Sequence, residues 1–244
     1  MPQLIPSALR VMQVFELFSK ERRPLSNSEI AKALNLAESS CSDLLYTLRQ
    51  AGYLLRMPSN KKVQPTSRLA AILESSLFAD PLAEFVNDVL LQLTKSTGET
   101  SMCGCLENNA VKVIACHESP KALRYVLKPG TILDVQATSL GKALLSIQSD
   151  EDATKIMDKC DFKKIASETI TNRDVLKQQI EIGKQKGVFT SRNEGTDGVY
   201  AIAFPCYIGD KQLAFTLVGP VHRFEKNLEE YSETMLKIKT ELFS

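Results

Sequence analysis

Residues 26–53 read SNSEIAKALNLAESSCSDLLYTLRQAGY. Ser26 and Glu29 fit a capping box: the hydroxyl accepts the Glu29 backbone N–H, and the carboxylate accepts that of Ser26. Ile30, Ala33 and Leu34 give a short helix its buried side. Residues 35–37, NLA, interrupt the period. A second helix is expected from about Glu38 to Gln50, with Cys41, Leu44, Leu45 and Leu48 at i, i+3, i+4 and i+7 facing a core. Ser39, Ser42, Asp43, Tyr46 and Gln50 form the opposite face, and Gly52 is placed to end the helix. Residues 53–66, YLLRMPSNKKVQPT, then read as two strands about the turn PSNKK. Helix, short turn, helix and a hairpin with a basic tip is the order of a winged helix-turn-helix. The second helix of such a unit enters the major groove and its wing reaches the backbone. The difficulty is that this second helix carries serines and an acid where basic side chains are expected.

Upstream, a helix is predicted from about Ile5 to Lys20, with two apolar stripes: Ala8, Met12, Phe15 and Val11, Val14, Phe18. A helix apolar over so much of its girth needs cover on more than one side. The stripes fit either a single deep burial or one face on the small domain and another on a second copy of the chain. The charge of the front part supports a polyanionic partner. Residues 1–68 hold ten Lys/Arg against five Asp/Glu, whereas the remainder holds twenty against twenty-four. A basic head on an acidic body suits nucleic acid.

Downstream, SRLAAILESSLFAD (67–80) reads as a helical connector ending at Pro81. Leu82, Phe85, Val86, Val89 and Leu93 are helix-spaced and Gly98 follows their end. TSMCGCLE (100–107), the turn NNA, VKVIACHE (111–118) and LRYVL (123–127) read as strands. TSLGKALLSI (138–147) and TNRDVLKQQIEIGKQKG (171–187) read as helices. GVFTSR (187–192), VYAIAFPCYI (199–208) and KQLAFTLVGP (211–220) read as strands, the last two joined at Gly209-Asp210. A final helix, about Phe224 to Phe243, is expected to bury Leu228, Tyr231, Met235, Ile238 and Leu242. The fold class is therefore α+β: a winged helix-turn-helix over 1–66, a connector over 67–80, and a mixed α/β domain over 81–244.

The 244 residues contain no run of about 18 apolar residues, and no membrane span is expected. The first twenty residues lack a basic start and a small-residue cleavage site, so no signal peptide is expected. Six cysteines, with no C-x-x-C pair, fit a reduced cytoplasmic protein. His117 and His222 have no partner at triad or metal spacing. No phosphate-binding loop, GxGxxG or HExxH is present. Neither a catalytic centre, a metal site nor a cofactor is expected.

Several segments together resemble the IclR family of bacterial transcriptional regulators over nearly the whole chain. They are PLSNSEIAKALNL, SSCSDLLYTLRQAGYL, ATSLGKALL, EGTDGVYAIAFP from Glu194 to Pro205, and the strand ending VGPVHR. The resemblance implies a winged helix for double-stranded operator DNA and a GAF-like domain for a small-molecule effector. It also implies homodimers, often paired into tetramers, with the first helix and the connector assisting assembly.

For the DNA head, Ser39 and Ser40 resemble the family's common Ser-Thr start of the reading helix. Their hydroxyls can meet phosphates or base edges, or simply cap the helix. Ser42 and Tyr46 share their face. Asp43 stands where many members carry a basic residue, and an acid there can accept from cytosine N4. The missing positive charge is expected from Arg22, Arg23, Arg49, Lys61 and Lys62. Lys61 and Lys62 equally fit a solvated turn.

For the effector, the resemblance points to Ser139, Leu140, Ser191, Ala201, Thr216 and Val218. The family's Asp and Cys, which flank the GV strand, have become Ser191 and Ala201. One of its serines is Thr216, and the other is Val218. This composition favours an organic acid larger or less polar than glyoxylate or pyruvate. The N–H groups of Ser139 and Leu140 at a helix start suit an anionic or polar group. Met102, Gly104 and Leu106 alternate on one strand face and are expected to line the same site, with Cys103 and Cys105 on the other. Ordinary core packing explains these positions equally well. Two other readings stay open: a redox or metal sensor using Cys103, Cys105, Cys116 and Cys206, and a winged helix turned to protein binding, with Asp43 as its hint.

Overall fold

The computed structural model describes residues 4–76 and 81–243, and the side chains of all of these except 74–76 and 243. The chain divides into two units, Met1–Ala79 and Asp80–Ser244. Residues 77–80 of the expected connector lie outside the described residues.

In the first unit, α1 (Pro6–Glu21) starts with proline in its first turn, where the missing N–H is no loss. Val14 and Phe18 are buried, and Val11, Phe15 and Leu17 pack beside them. Met12 and Leu9 stay exposed, so the two predicted stripes have different fates. The helix ends at Arg22, whose left-handed backbone returns its N–H to Phe18 O. Helix α2 (Asn27–Ala33) carries the complete capping box between Ser26 and Glu29. Its buried pair is Ile30 and Ala31; the expected Ala33 is exposed, and Leu34 is half-buried at the edge of the same core.

Helix α3 (Glu38–Gln50) has the predicted bounds and buries Cys41, Leu45 and Leu48. Asn27 ties α2 to α3: its Nδ2 donates to Glu38 O at 3.1 Å and its carbonyl accepts from Cys41 Sγ. Strands β1 (Leu54–Arg56) and β2 (Val63–Pro65) form the antiparallel wing. Leu25, ahead of α2, pairs with Val63 through two backbone hydrogen bonds, so the wing is fastened to the α1–α2 loop. Helix α4 (Arg68–Ser76) follows. The Arg68 guanidinium lies over the Tyr53 ring at 5.3 Å, and Thr66 Oγ1 donates to Gly52 O at 2.7 Å.

The second unit is built on an antiparallel sheet of six strands in the order β5-β4-β3-β8-β7-β6. The strands are β3 (Thr100–Glu107), β4 (Ala110–His117), β5 (Ile132–Leu133), β6 (Phe189–Arg192), β7 (Val199–Ile208) and β8 (Lys211–Pro220). Asn108 and Asn109, both at positive φ, close the β3–β4 hairpin as a two-residue turn of this kind requires. Alternation sorts the side chains. Ile202, Phe204, Phe215 and Leu217 face α5 (Pro81–Thr97) and α9 (Val221–Phe243). Ala203 and Ala214 face α6 (Ser139–Ser146), α7 (Asp150–Asp158) and α8 (Arg173–Lys186). The two faces are buried by different helices, which is why β7 and β8 read as nearly continuous apolar runs.

Three further differences lie in the second unit. Residues 123–127 form no strand; Tyr125 and Leu127 pack instead beside Met102, Val113 and Val218 at the end of the sheet. Helix α7 was not expected, because only Ile156 and Met157 anchor an otherwise acidic and polar helix. In α9, Tyr231, Met235 and Ile238 are buried as predicted, but Leu228 is only half-buried and Leu242 is exposed because the helix has run past the core.

Candidate functional site

The exposed face of α3 consists of Ser39, Ser40, Ser42, Asp43, Tyr46, Thr47 and Gln50. The N-cap is Ala37 and no side chain caps the helix, so Ser39 and Ser40 are not used for capping. Arg49 is half-buried and points from the last turn. Arg22 is exposed at the end of α1. The wing tip is held by Met57 N–H to Lys62 O at 2.8 Å and by Arg56 Nε to Lys61 O at 3.2 Å. Lys61 sits at φ 59°, with its side chain in solvent.

Arg23 and Lys62 are not free. Arg23 Nη1 lies 2.6 Å from Glu29 Oε1, and Lys62 Nζ lies 3.3 Å from Glu29 Oε2. Arg23 also pairs with Glu21 at 2.9 Å. The capping N–H of Ser26, with Arg23 and Lys62 beside it, holds the Glu29 carboxyl down at about 2.

The second site is a cavity of about 150 Å³ at the N-terminus of α6. It lies over the sheet face that α6 leaves uncovered, walled by Tyr125, Leu127 and Ile132 on one side and by Gly195 and Thr196 on another. Met102, Ser139, Leu140, Ser191, Ala201, Thr216 and Val218 all line it. The register explains their meeting: Met102 pairs with Thr216, Ala201 with Val218 and Ser191 with Ala201, all on the face opposite α5 and α9. Gly104 and Leu106 do not line the cavity. Gly104 lies beneath α6, where an added Cβ would come 3.2 Å from Leu140 Cδ1, and Leu106 packs against the α6 core.

The α6 terminus is held tightly. Thr138 Oγ1 accepts the Gly141 N–H at 3.0 Å, and a Cβ on Gly141 would fall 2.0 Å from Val135 O. Helix geometry leaves the N–H groups of Ser139 and Leu140 without an intrahelical acceptor. The hydroxyls of Ser139 and Thr216 are 3.0 Å apart, and Thr216 donates to Ile202 O at 2.9 Å. Tyr125 OH reaches Thr196 Oγ1 at 3.3 Å across the mouth. Among the described residues no Lys, Arg or His lines the cavity; Asp134 is its carboxylate. A cavity of this volume takes up a benzene-sized molecule.

Behind the wall, Lys142 and Glu194 form a buried ion pair. Lys142 Nζ also donates to Thr190 O at 2.8 Å and to Gln179. Burial pushes the Lys142 ammonium down and the Glu194 carboxyl up, and their mutual attraction opposes both shifts. Thr169 Oγ1 donates to Glu194 O at 2.6 Å, fixing the loop that carries Gly195 and Thr196. Lys142 and Glu194 both lie in segments that carry the family resemblance, and no local pattern gives either a role. Tyr125 lies in the stretch that reads as a strand and Thr196 in the EGTDGVYAIAFP segment, and neither position carries a sequence signal for a cavity wall.

The cysteines are all free. Burial raises the thiols of Cys105 and Cys116, lifts Cys103 well above its ordinary value and pushes Cys206 up to about 12. Cys116 faces the cavity side while Cys103, Cys105 and Cys206 pack on the other. Such thiols resist the thiolate form that redox chemistry needs. Among the described residues no cluster of three metal-ligating side chains is present, and no helix is long and apolar enough to cross a membrane.

A winged helix-turn-helix followed by a cavity-bearing α/β unit is the architecture of a transcription factor. Residues 7–58 match the IclR helix-turn-helix domain, and residues 75–241 match the family described as bacterial transcriptional regulator IclR C-terminal. The chain belongs to the IclR family of bacterial transcriptional regulators, which are not enzymes. It is 24% identical over 233 residues to the HTH-type transcriptional regulator KdgR of Dickeya chrysanthemi, covering 94% of this chain and 76% of that protein. It is 24% identical over 204 residues to the HTH-type transcriptional regulator XynR of Escherichia coli, covering 84% and 81%. The crystal structure of the Thermotoga maritima IclR has the same fold, with a TM-score of 0.61, 22% identity and coverage of 96% and 95%.

Proposed function

We propose that the chain is a DNA-binding regulator whose operator affinity is set by a small organic acid bound in the cavity at the α6 terminus. The observation that carries this reading is the convergence of Met102, Ser139, Leu140, Ser191, Ala201, Thr216 and Val218 on one ligand-sized space. The acid's charged end meets the N–H groups of Ser139 and Leu140, since among the described residues no side-chain cation lines the cavity. Its body lies against Met102, Leu127, Ala201 and Val218, which favours a ligand less polar than glyoxylate or pyruvate.

DNA is read by Ser39, Ser40, Ser42, Asp43 and Tyr46 in the major groove, with Arg22, Arg23, Arg49, Lys61 and Lys62 toward phosphates. The protein acts as a homodimer or as a dimer of dimers, in the cytoplasm. The exposed side chains of Leu4, Ile5, Leu9 and Met12 support a second copy covering the front of α1. A two-fold dimer reads a pseudo-palindromic site. The segment 67–80 couples the two units, so a ligand acts by preferring one of two states.

The test is fluorescence anisotropy on the DNA upstream of the protein's own gene, at two salt concentrations and against a competitor duplex, with organic acids then titrated in. Specific, salt-sensitive binding that shifts with one acid is expected. No preference over competitor and no response to any acid would move the reading to protein binding.

A further inference from the structure

The basic head is less basic than its sequence. Glu21, Arg23, Glu29 and Lys62 form a single cluster, two acids and two bases, on the surface between α2 and the wing. Glu29 is its hub. One oxygen receives Arg23 Nη1 at 2.6 Å; the other receives the Ser26 N–H at 2.7 Å and faces Lys62 Nζ at 3.3 Å. The cap fixes this carboxylate, so it cannot swing away from the two cations. The wing is fixed as well, through the Leu25–Val63 backbone pair.

Arg23 and Lys62 belong to different elements and converge on one anion. Their charged ends remain partly in solvent, with side chains 47% and 34% exposed. Exposed pairs of this sort are weak and are screened by salt. A phosphate can compete for either cation, but the carboxylate stays behind and repels it.

We propose that Glu29 is an electrostatic brake on DNA binding: it lowers the affinity of the head for any duplex by neutralising Arg23 and Lys62. Its effect falls on the sequence-independent part of binding, leaving a larger share of recognition to the face of α3. This rests on the reading of Arg23 and Lys62 as phosphate contacts. Glu29 acts through them and touches no DNA.

The variant is Glu29→Gln, because glutamine keeps the capping box and removes the charge. The full-length protein is titrated by anisotropy onto a random-sequence duplex of about thirty base pairs across a tenfold range of salt. Wild type is compared with Glu29→Gln, with Arg23→Gln/Lys62→Gln, and with the triple variant. A thermal melt reports whether the cap is intact. Each released cation steepens the slope of log K against log salt by about 0.9, so one such cation gives about an eightfold gain in affinity at the low-salt end relative to the high-salt end.

The expected result is a steeper slope and tighter non-specific binding for Glu29→Gln, with an unchanged melt. In the Arg23→Gln/Lys62→Gln background the same change leaves the slope alone. An unchanged or shallower slope for Glu29→Gln, with the melt intact, overturns the brake. If the wild type binds no duplex at any salt, the DNA reading itself fails, and the brake with it. If Glu29→Gln steepens the slope as much in the Arg23→Gln/Lys62→Gln background as it does in the wild type, the brake does not act through these two cations and the proposal is overturned.

Discussion

Lys142 and Glu194 stand fifty-two residues apart, yet Lys142 Nζ lies 2.7 Å from both oxygens of the Glu194 carboxylate, with both side chains buried. The pair joins the helix that supplies the cavity's N–H groups to the loop that supplies its wall. Buried pairs are poor sources of stability compared with apolar packing, but breaking one leaves an uncompensated charge. Lys142→Met is expected to destabilise the second unit by about 3–5 kcal/mol in urea unfolding. The double change Lys142→Met, Glu194→Gln should recover part of that loss. A loss for the double variant equal to the sum of the losses for Lys142→Met and Glu194→Gln alone would show that the pair is not coupled.

The Glu99 carboxylate predicts acid sensitivity. It is fully buried and accepts from Arg223 twice at 2.8 Å, from Lys121 at 2.8 Å and from Tyr231 OH at 3.2 Å. Burial pushes its pKa up, but Arg223 and Lys121 together outweigh burial and hold it below the ordinary value. A carboxyl depressed in the folded state stabilises fully above its unfolded pKa of about 4.3 and loses this as pH falls through the folded value. Glu99→Gln should therefore lower stability at pH 7 and flatten its fall below about pH 4.3. Urea midpoints from pH 7 to pH 3 check this; a parallel loss at every pH would count against it.

Filling the cavity should separate sensing from DNA binding. Ala201 lines it from β7, paired with Val218. Ala201→Leu is expected to abolish the response to any acid that wild type detects, while operator affinity without ligand stays within about threefold, a shift under 1 kcal/mol. Isothermal titration with the acid, beside anisotropy on the operator, gives both readings. A retained acid response would place the ligand elsewhere.

The α6 terminus depends on a missing side chain. At Gly141 a Cβ would meet the Val135 carbonyl at 2.0 Å, so Gly141→Ala must push the helix away from the preceding turn. Overpacking of this kind costs about 1–3 kcal/mol. The displaced N–H groups of Ser139 and Leu140 should also weaken acid binding. Thermal melts and ligand titrations measure the two effects, and a wild-type melt would refute the close-packing argument.

The two wing lysines should behave differently. Lys61 is in solvent, whereas Lys62 faces Glu29 at 3.3 Å. Lys61→Gln is expected to shallow the salt slope by about 0.9 per bound protomer on any sequence, and Lys62→Gln by less. Equal effects would mean that Glu29 does not hold Lys62 when DNA is bound.

Periodicity explains which elements were legible. In α3, Cys41, Leu45 and Leu48 repeat against one core, and its predicted bounds match the structure. In β7 and β8 the apolar runs end at clear turns, and the strands form as read. The stretch around Tyr125 failed because its alternation serves a cavity wall and not a sheet edge. Helix α7 failed because two anchors, Ile156 and Met157, are too few to set a period. Gly104 and Leu106 share a strand face with Met102, but α6 covers them first, so alternation assigned the face without its occupant.

From local pattern alone, the chain determines most of its elements, the order of a winged helix ahead of an α/β unit, and the strand face on which Met102 lies; Ala201, Thr216 and Val218 come from the family resemblance. These properties depend on residues near one another in sequence. The partners of charge and the emptiness of space were decided only in three dimensions. Lys142 sits in a helix that reads as amphipathic, and its burial beside Glu194 follows from how α6 packs on β6 and its loop. Arg23 and Lys62 count as two positive charges in the sequence, and Glu29 takes them both up in the fold. Coulomb attraction and cavity volume depend on distance in space, and chain separation carries no record of it.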